Sequence, residues 1–537
     1  MKRINLIIAA LTLCGSVAFS QSMLDAYKFG QTDMQGTARY MSMGGAFGAL
    51  GGDISAMSGN PAGLAVYKSS EVVTTLNLSM TNAKTNWLGE TDSKNRTKFN
   101  FDNIAYVAYF PTGRDEGLVS WNAGFSYNRL KNFNRHYYAR SGNGLHTSLS
   151  DYIGERAYGL SADIIGKDFA YDDLNDWLSV LGYQGGLIID TGKDGAGKQT
   201  YGSMFGEDTG NGWRPFNLDQ ARYNVRESGS IDQYNISFGL NFAETFLFGA
   251  TLNVTDINYQ LKSSYDEYFA VDGNDFYLDN GLNTDGSGYG INVGAILRPW
   301  DFLRLGVAYN SPTWYKMTDV YYGEAGSSLT NNEYPNGDAI SNNSPKGAYT
   351  DYELRTPDKW LFSAAFILGQ YGLVSVDYEM TNYRNMKLYN SYGEAGDYRY
   401  ENQDIRDNFK AGGTLRIGAE ARITPQFYVR AGGSFTNSPM KDKLKDGDVE
   451  IFTVGTMPHY TIDKGRNSFS VGFGYRFTPQ FYMDMACVST AYKEDAYAFS
   501  SIILYDDNNV PTKLIEAQPL SLKTSRTQVS LTVGYKF

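Results

Sequence analysis

The last eleven residues, Thr527 to Phe537, alternate without a fault: Val529, Leu531, Val533, Tyr535 and Phe537 share one face, while Gln528, Ser530, Thr532, Gly534 and Lys536 share the other. Successive side chains of a strand point to opposite sides, so such a segment has one apolar and one polar face. A strand in lipid needs the apolar face outside and tolerates polar residues toward a lumen. The same pattern would suit an edge strand of a soluble sandwich, but it recurs along the whole chain. Tyr234, Ile236, Phe238, Leu240 and Phe242 repeat it, as do Tyr289 to Leu297, Leu415 to Ile423 and Phe469 to Phe477.

Adding less regular segments near 71–81, 98–110, 117–130, 246–260, 302–315, 352–368, 371–388, 427–437 and 481–497 predicts about fourteen strands, an even number. Their connections sort by parity. Those after even strands are tight: Pro111-Thr112-Gly113-Arg114, Ala243-Glu244-Thr245, Pro299-Trp300-Asp301, Gly369-Gln370, and Thr-Pro-Gln at 424–426 and 478–480. Those after odd strands are long. A soluble sandwich has no reason to sort loops in this way, whereas an antiparallel transmembrane barrel has short periplasmic turns and long extracellular loops. The fold class expected is therefore all-β, a barrel over 69–537. The terminal aromatic face, with Phe537, Tyr535 and Val533, is the expected signal for the barrel-assembly machinery.

The amino terminus names the compartment. Lys2 and Arg3 precede an apolar run from Ile4 through Val17, and Ala18-Phe19-Ser20 is a small-x-small site, so a signal peptide over 1–20 is expected to leave Gln21 as the mature start. Leu13 before Cys14 stands where a lipoprotein signal wants a small residue. Only Cys487 remains after cleavage, which excludes an internal disulfide framework. A barrel closes its backbone hydrogen bonds without one. With 42 Tyr, 30 Phe and 58 Gly against 14 Pro, the composition suits strands with aromatic girdles. A net charge of −11 argues against nucleic-acid binding.

The connection over 131–229 is too long for a plain loop, and loops of that length are usually functional or disordered. Leu149, Tyr152, Ile153, Ala157 and Leu160 fall at helical spacing after Ser148; Leu174, Trp177, Leu178 and Leu181 form a second stripe after Asp172 and Asp173. Two amphipathic helices on the outer rim must bury these faces against each other, the barrel mouth or a ligand. Packing between helices is the commoner outcome; Trp177, Leu178, Leu181 and Tyr183 are the candidates for a ligand-lining role.

Between signal and first strand, over 21–68, lies a stretch of small apolar residues. It includes Gly44-Gly45-Ala46, then Asp53-Ile54-Ser55-Ala56, then Asn60-Pro61-Ala62-Gly63-Leu64. Glycine and alanine permit close backbone approach, Asn-Pro favours a turn, and the barrel lumen is the available container. This run resembles the amino-terminal plug of the FadL/TodX family of outer-membrane transporters. Leu305-Gly306-Val307-Ala308-Tyr309-Asn310-Ser311-Pro312 is similar to a strand motif of that family, and Thr356-Pro357 opens a later strand. The resemblance implies a fourteen-stranded barrel closed by a plug carrying Asn60, Pro61, Ala62 and Gly63. It also implies that outer loops capture a hydrophobic ligand, such as a long-chain fatty acid, which leaves sideways through a gap at a kinked strand, with no energy-coupling partner.

Partners expected are that ligand, outer-membrane lipids and the assembly machinery, for a monomer in the cell outer membrane with no enzymatic step and no cofactor. Arg298, Arg304, Arg416, Glu420, Arg422, Arg430 and Arg476 fall on lumenal faces, where they suit mutual salt bridges or a ligand carboxylate. Two other readings stand beside this one: a general diffusion porin, and a haem- or hemin-binding outer-membrane receptor. The plug-like segment argues against the first. Motor-driven receptors need about twenty-two strands, beyond this length, and His136 and His146 are the only histidines expected in an outer loop. Residues 192–198 mimic a phosphate loop, but Gln199 stands where Ser or Thr belongs. Asp272, Asp275, Asp279 and Asp285 miss calcium-loop spacing.

Overall fold

The computed structural model describes residues 21–172, 175–209, 213–330, 338–505 and 511–537. Among them fourteen antiparallel strands form the wall: β1 (Glu71–Trp87), β2 (Glu90–Pro111), β3 (Leu118–Asn132, continuing as Arg135–Arg140), β4 (Leu218–Phe242), β5 (Phe246–Phe269), β6 (Asp275–Trp300), β7 (Leu303–Asn310 and Trp314–Leu329), β8 (Ala348–Arg355 and Lys359–Ile367), β9 (Gly372–Asn382 and Lys387–Asn390), β10 (Ala411–Arg422), β11 (Phe427–Thr436), β12 (Tyr460–Arg476), β13 (Phe481–Tyr497) and β14 (Leu520–Lys536). Each pairs with its neighbour in sequence, and β14 returns to β1 in register from Glu71↔Lys536 to Asn86↔Ser521, closing the wall. No described helix is long and apolar enough to cross a membrane. The short turns gather at one end of the wall, the end expected to be periplasmic from the parity of the connections.

The outward residues of the lower half are apolar and exposed, among them Val72, Ile236, Phe238, Leu252, Val254, Ile291, Val471 and the lone Cys487. Aromatic pairs bound this band on both sides. Phe110 stacks on Trp121 with centroids 4.0 Å apart near the periplasmic end, and Tyr289 stacks on Trp314 at 5.9 Å near the outer end. This is the arrangement lipid demands of a barrel wall. The inner faces at the same height are polar, with Thr75, Asn77, Asn122, Asn235, Thr251 and Asn253 all buried.

Above the band the two faces exchange chemistry. In β5 the outward Phe248, Leu252 and Val254 give way to outward Asn258, Gln260 and Lys262, while the inward Ile257, Tyr259, Leu261 and Tyr265 become a buried apolar row. The reason is solvent: beyond the bilayer the outside meets water, and the interior becomes a core. Strands β7, β8 and β9 make the same exchange by breaking, at residues 311–313, 356–358 and 383–386. In β7, Leu305 and Val307 face lipid below the break, yet Tyr315 and Met317, at positions of the same parity, face inward above it. Pro312 and Pro357, which have no N–H to offer a ladder, sit in two of these breaks. Side chains replace the missing bonds: Thr313 N donates to Thr356 Oγ1 at 2.8 Å, and Asn382 Nδ2 and Asn385 Nδ2 donate to Asp358 at 2.7 and 2.9 Å.

Residues 21–67 run inside this wall. They form α1 (Met23–Gly30), capped by Ser22 and Asp25 in a capping box, α2 (Ala38–Ser42), capped by Thr37, and two short 3-10 turns, Ile54–Ser58 and Pro61–Val66. Outside, α3 (Leu149–Arg156) starts on Ser148 with Asp151 completing a capping box, α4 spans Ala162–Ile165, and α5 (Trp177–Gln184) starts on Asp176. Leu174, part of the predicted second stripe, lies outside the described residues. The connection expected over 131–229 is shorter than that, because β3 reaches Arg140 and β4 begins at Leu218. Residues 192–198 are the turn of a surface hairpin, Ile188–Lys193 with Gln199–Ser203, and residues 272–274 turn β5 into β6.

At the seam, Phe537 N donates to Ser70 O at 3.0 Å and its ring lies by Tyr106 and Tyr535. If the terminal face is the assembly signal, deleting Phe537 lowers the folded, heat-modifiable form in outer membranes. Wild-type amounts of that form would remove this role.

Candidate ligand-transport site

The upper half is one apolar core. Met23, Leu24, Ala26, Tyr27 and Phe29 of α1 belong to it with the inward rows of β4, β5, β6 and β7 and with α3 and α5; the Tyr27 ring lies by Tyr383 and Phe409, and the Phe29 ring by Phe133 and Tyr259. Trp177, Leu178, Leu181 and Tyr183 belong to this core or pack against it. Leu178 and Leu181 are buried, Trp177 lies edge-on to Tyr171 and Tyr321, and Tyr183 lies edge-on to Tyr201. None of the four lines either cavity described next; the stripe faces α3 and β7, which sit directly beneath it.

Two cavities lie against α1 within the barrel. The upper, about 140 Å³, lies beside α1 and is lined by Leu24, Tyr27, Phe133, Leu261, Met457 and His459 with a belt of charges. The lower, about 150 Å³, lies beneath α1 against the breaks in β7 and β8, with Asn128, Arg129, Gln233, Asn253, Ser311 and Arg416 on its walls. Between them Asp33 takes Arg466 at 3.1 Å and Arg526 at 2.9 Å. Burial alone would raise the Asp33 carboxyl, but those two guanidinium groups outweigh it and hold the pKa below the ordinary value. Lys131 Nζ donates to Lys28 O at 2.9 Å and Gln31 Oε1 at 2.7 Å, tying β3 to the end of α1.

Below this level the lumenal segment fills the polar bore. Asn60 caps the Pro61–Val66 turn, its Oδ1 accepting from Ala62 N at 3.1 Å, with proline in the first-turn position where a missing N–H costs nothing. Its Nδ2 donates to Gly48 O at 2.6 Å and to the wall at Ala295 O, 3.3 Å. Asn122 holds Leu64 O, Asn292 holds Ser58 O, Arg304 holds Leu50 O and Asp377 accepts from Gly48 N. Arg39 enters the wall's own charge network, donating to Glu420, which Arg430 also engages while reaching Asp484. Arg416 pairs with Glu379 and Arg298 with Glu244. The lumenal charges are thus paired with one another and with the segment, while Arg422 and Arg476 lie exposed at the periplasmic rim.

The contact is close because the wall is bare of side chains there. A Cβ on Gly249 would sit 2.2 Å from the Pro61 carbonyl carbon, and one on Gly432 would sit 2.2 Å from that of Met43. Gly239, Gly306 and Gly418 meet the segment's backbone in the same way.

One stretch of wall lacks its ladder. The β2–β3 pairing runs from Pro111↔Ser120 up to Asn103↔Asn128 and stops there. Above it β2 stays with β1 as far as Glu90, and β3 stays with β4 as far as Arg140. Side chains span the interval, where Arg129 reaches Asn100 Oδ1 at 3.2 Å, Arg96 reaches Glu227 O, and Arg140 takes Asp92, and one backbone bond, Gly142 N to Trp87 O at 3.0 Å, ties its top to the β1–β2 hairpin. Phe99 and Phe101 are exposed on the outer side of the interval, and both cavities reach β3 behind it.

The sequence reading passed over Asp33, Arg39, Lys131 and His459. Arg39 and Asp33 carry no local signal. The inward apolar rows had one, the change of hydropathy phase within each long strand, which made segments such as 246–260 look merely less regular. His136 bonds Asn224 on the surface, and no described cluster of His, Cys, Asp and Glu could hold a metal ion.

A closed fourteen-stranded barrel with its own amino-terminal segment in the bore defines a class of outer-membrane transport protein. The model of the outer membrane protein transport protein family (OMPP1/FadL/TodX) matches residues 233–535, more than half of the chain, and the protein belongs to that family. The model of an uncharacterised family, UPF0164, matches residues 9–138. Among solved structures, a FadL homologue of Pseudomonas aeruginosa is similar in fold, with a TM-score of 0.52 at 12% identity over 94% of this chain and 99% of that one. The toluene transporter TodX of P. putida matches with a TM-score of 0.48 at 13% identity over the same shares. No curated protein matches the chain significantly.

Proposed function

We propose that the protein takes up hydrophobic small molecules, long-chain fatty acids among them, by capture in the apolar upper half and sideways release between β2 and β3 into the membrane. The observation that carries this reading is the division of the interior: an apolar core with a cavity above, and below it a polar bore occupied by residues 21–67. An apolar ligand driven down the polar bore loses about 0.8 kcal/mol per methylene, so a ten-carbon chain forgoes about 8 kcal/mol. The interval above Asn103 and Asn128 offers a path from cavity to lipid across which β2 and β3 share no ladder. On this reading the segment 21–68 is the plug, beginning at Gln21 once 1–20 is removed, and an open diffusion porin is disfavoured. The partners are the ligand, the surrounding lipid and the assembly machinery; the protein works as a monomer without a catalytic step.

The test is to close the interval. In a Cys487→Ser background, Asn100→Cys and Arg129→Cys joined by a reducible bifunctional thiol reagent are expected to bring uptake of a fluorescent fatty acid down to that of cells lacking the protein. Reduction is expected to restore it. Full uptake through the cross-linked barrel would place the exit elsewhere.

A further inference from the structure

Around the upper cavity nearly every polar group is answered by the protein itself. Arg135 pairs with Glu227 and Glu494, Arg466 and Arg526 pair with Asp33, and Tyr27 donates to Asp463. Thr524 Oγ1 and Arg526 Nε are enclosed without a partner, and His459 is the one ring among these exceptions whose two nitrogens both go unanswered. It precedes β12, lines the cavity, and is 7% exposed with Tyr223 edge-on at 5.5 Å. Its Nδ1 is enclosed with no hydrogen-bond partner, and among the described residues no hydrogen bond is formed by Nε2 either. A buried imidazole left unpaired is costly, and native structures seldom keep one unless something else supplies the partner.

We infer that His459 is the polar recognition point of the upper cavity, and that the preferred ligand is a hydrophobic molecule bearing a hydroxyl-type group that donates and accepts one hydrogen bond. The inference rests on the reading that this cavity takes ligand and adds which chemistry it selects. Burial, reinforced by the nearby charge of Lys28, pushes the pKa of His459 down to about 3, so the ring stays neutral. A neutral imidazole offers one N–H and one lone pair. A hydroxyl in the cavity answers Nε2, the nitrogen that is not enclosed, whether that atom donates or accepts, whereas a plain hydrocarbon leaves it unpaired. Sites built around a hydrogen bond reject the analogue that lacks the group far more strongly than a greasy pocket rejects a changed methylene. Leu24, Phe133, Leu261 and Met457 supply the apolar part of the envelope.

The experiment compares 2-naphthol with naphthalene, the same ring system with and without the hydroxyl, by fluorescence titration of the full-length mature protein in lipid nanodiscs against empty nanodiscs. Wild type is expected to bind 2-naphthol about tenfold more tightly or better. His459→Phe, which keeps an aromatic ring, is expected to lose that preference while holding naphthalene as before, and His459→Gln to retain much of it. Equal affinity of the two probes for wild type overturns the inference, as does a preference that survives in His459→Phe; naphthalene binding in either case leaves the transport reading standing. If neither probe binds, both fall. Should His459→Phe lose its heat-modifiable fold, His459→Leu takes its place, and the wild-type comparison decides the question without either variant.

Discussion

Removing residues 22–67 turns the barrel from a closed body into an open pore. The bore those residues occupy is walled by Thr75, Asn77, Asn122, Asn235, Thr251 and Asn253, all polar, so water enters once the segment is gone. Arg304 then loses its bond to Leu50 O, and the Glu420–Arg430 cluster loses Arg39, leaving charges that only water and ions can answer. Wider bacterial barrels without a filled interior leave an aqueous channel. Planar-bilayer recording is the direct measurement: intact protein is expected to conduct poorly, and the deletion to give large, steady steps. Equal conductance would mean that the segment does not block the bore.

A single side chain on the wall should do part of the same damage. Valine at Gly249 puts a Cβ where the Pro61 carbonyl carbon stands 2.2 Å away, and that neighbour is backbone, which cannot swing aside. Either the Pro61–Val66 turn backs off or β5 bends outward. Overpacking of this kind costs about 1–3 kcal/mol, sometimes more. Gly249→Val is therefore expected to lower the temperature at which the heat-modifiable form is lost and to make the barrel leak ions. Gly396→Ala, where an added Cβ meets nothing within 4 Å, serves as the control and should match wild type in both. A tight, fully stable Gly249→Val protein would show that the segment is not seated on bare wall.

How much of this the chain declares in advance depends on how local the signal is. The wall was legible, because alternation in Tyr234–Phe242 or Val529–Phe537 is written within one strand and lipid enforces it at every turn. Ser148 and the helical spacing of Leu149, Tyr152 and Ile153 likewise announced α3 from neighbouring positions. The helix α1 was not legible: it is only eight residues long, and what holds it and its flanks lies a hundred positions or more away, Lys131 on the Lys28 carbonyl, Asp319 on Gln21 and Arg466 on the Thr32 carbonyl. The same holds for the unpaired interval between β2 and β3, since the loss of a ladder is a property of two strands and neither one records it. Trp177, Leu178 and Leu181 stood at helical spacing, but spacing does not tell whether a stripe meets a ligand or another helix; here β7 and α3 lie beneath it. His459 was passed over because a lone histidine acquires meaning only from the partners that its surroundings withhold.

The breaks in β7, β8 and β9 have a consequence for how this chain tolerates change. Turns and outer loops absorb insertions freely, but a strand has a side-chain period of two, so one residue gained or lost reverses every face beyond it. Losing a residue from 311–313 would therefore turn Tyr315 and Met317 out to water and bring Trp314 and Lys316 into the core, without altering a single amino acid above the break. These three short irregular stretches, which look like ordinary loops, carry the phase of the strands above them, and their length is under tighter constraint than their composition.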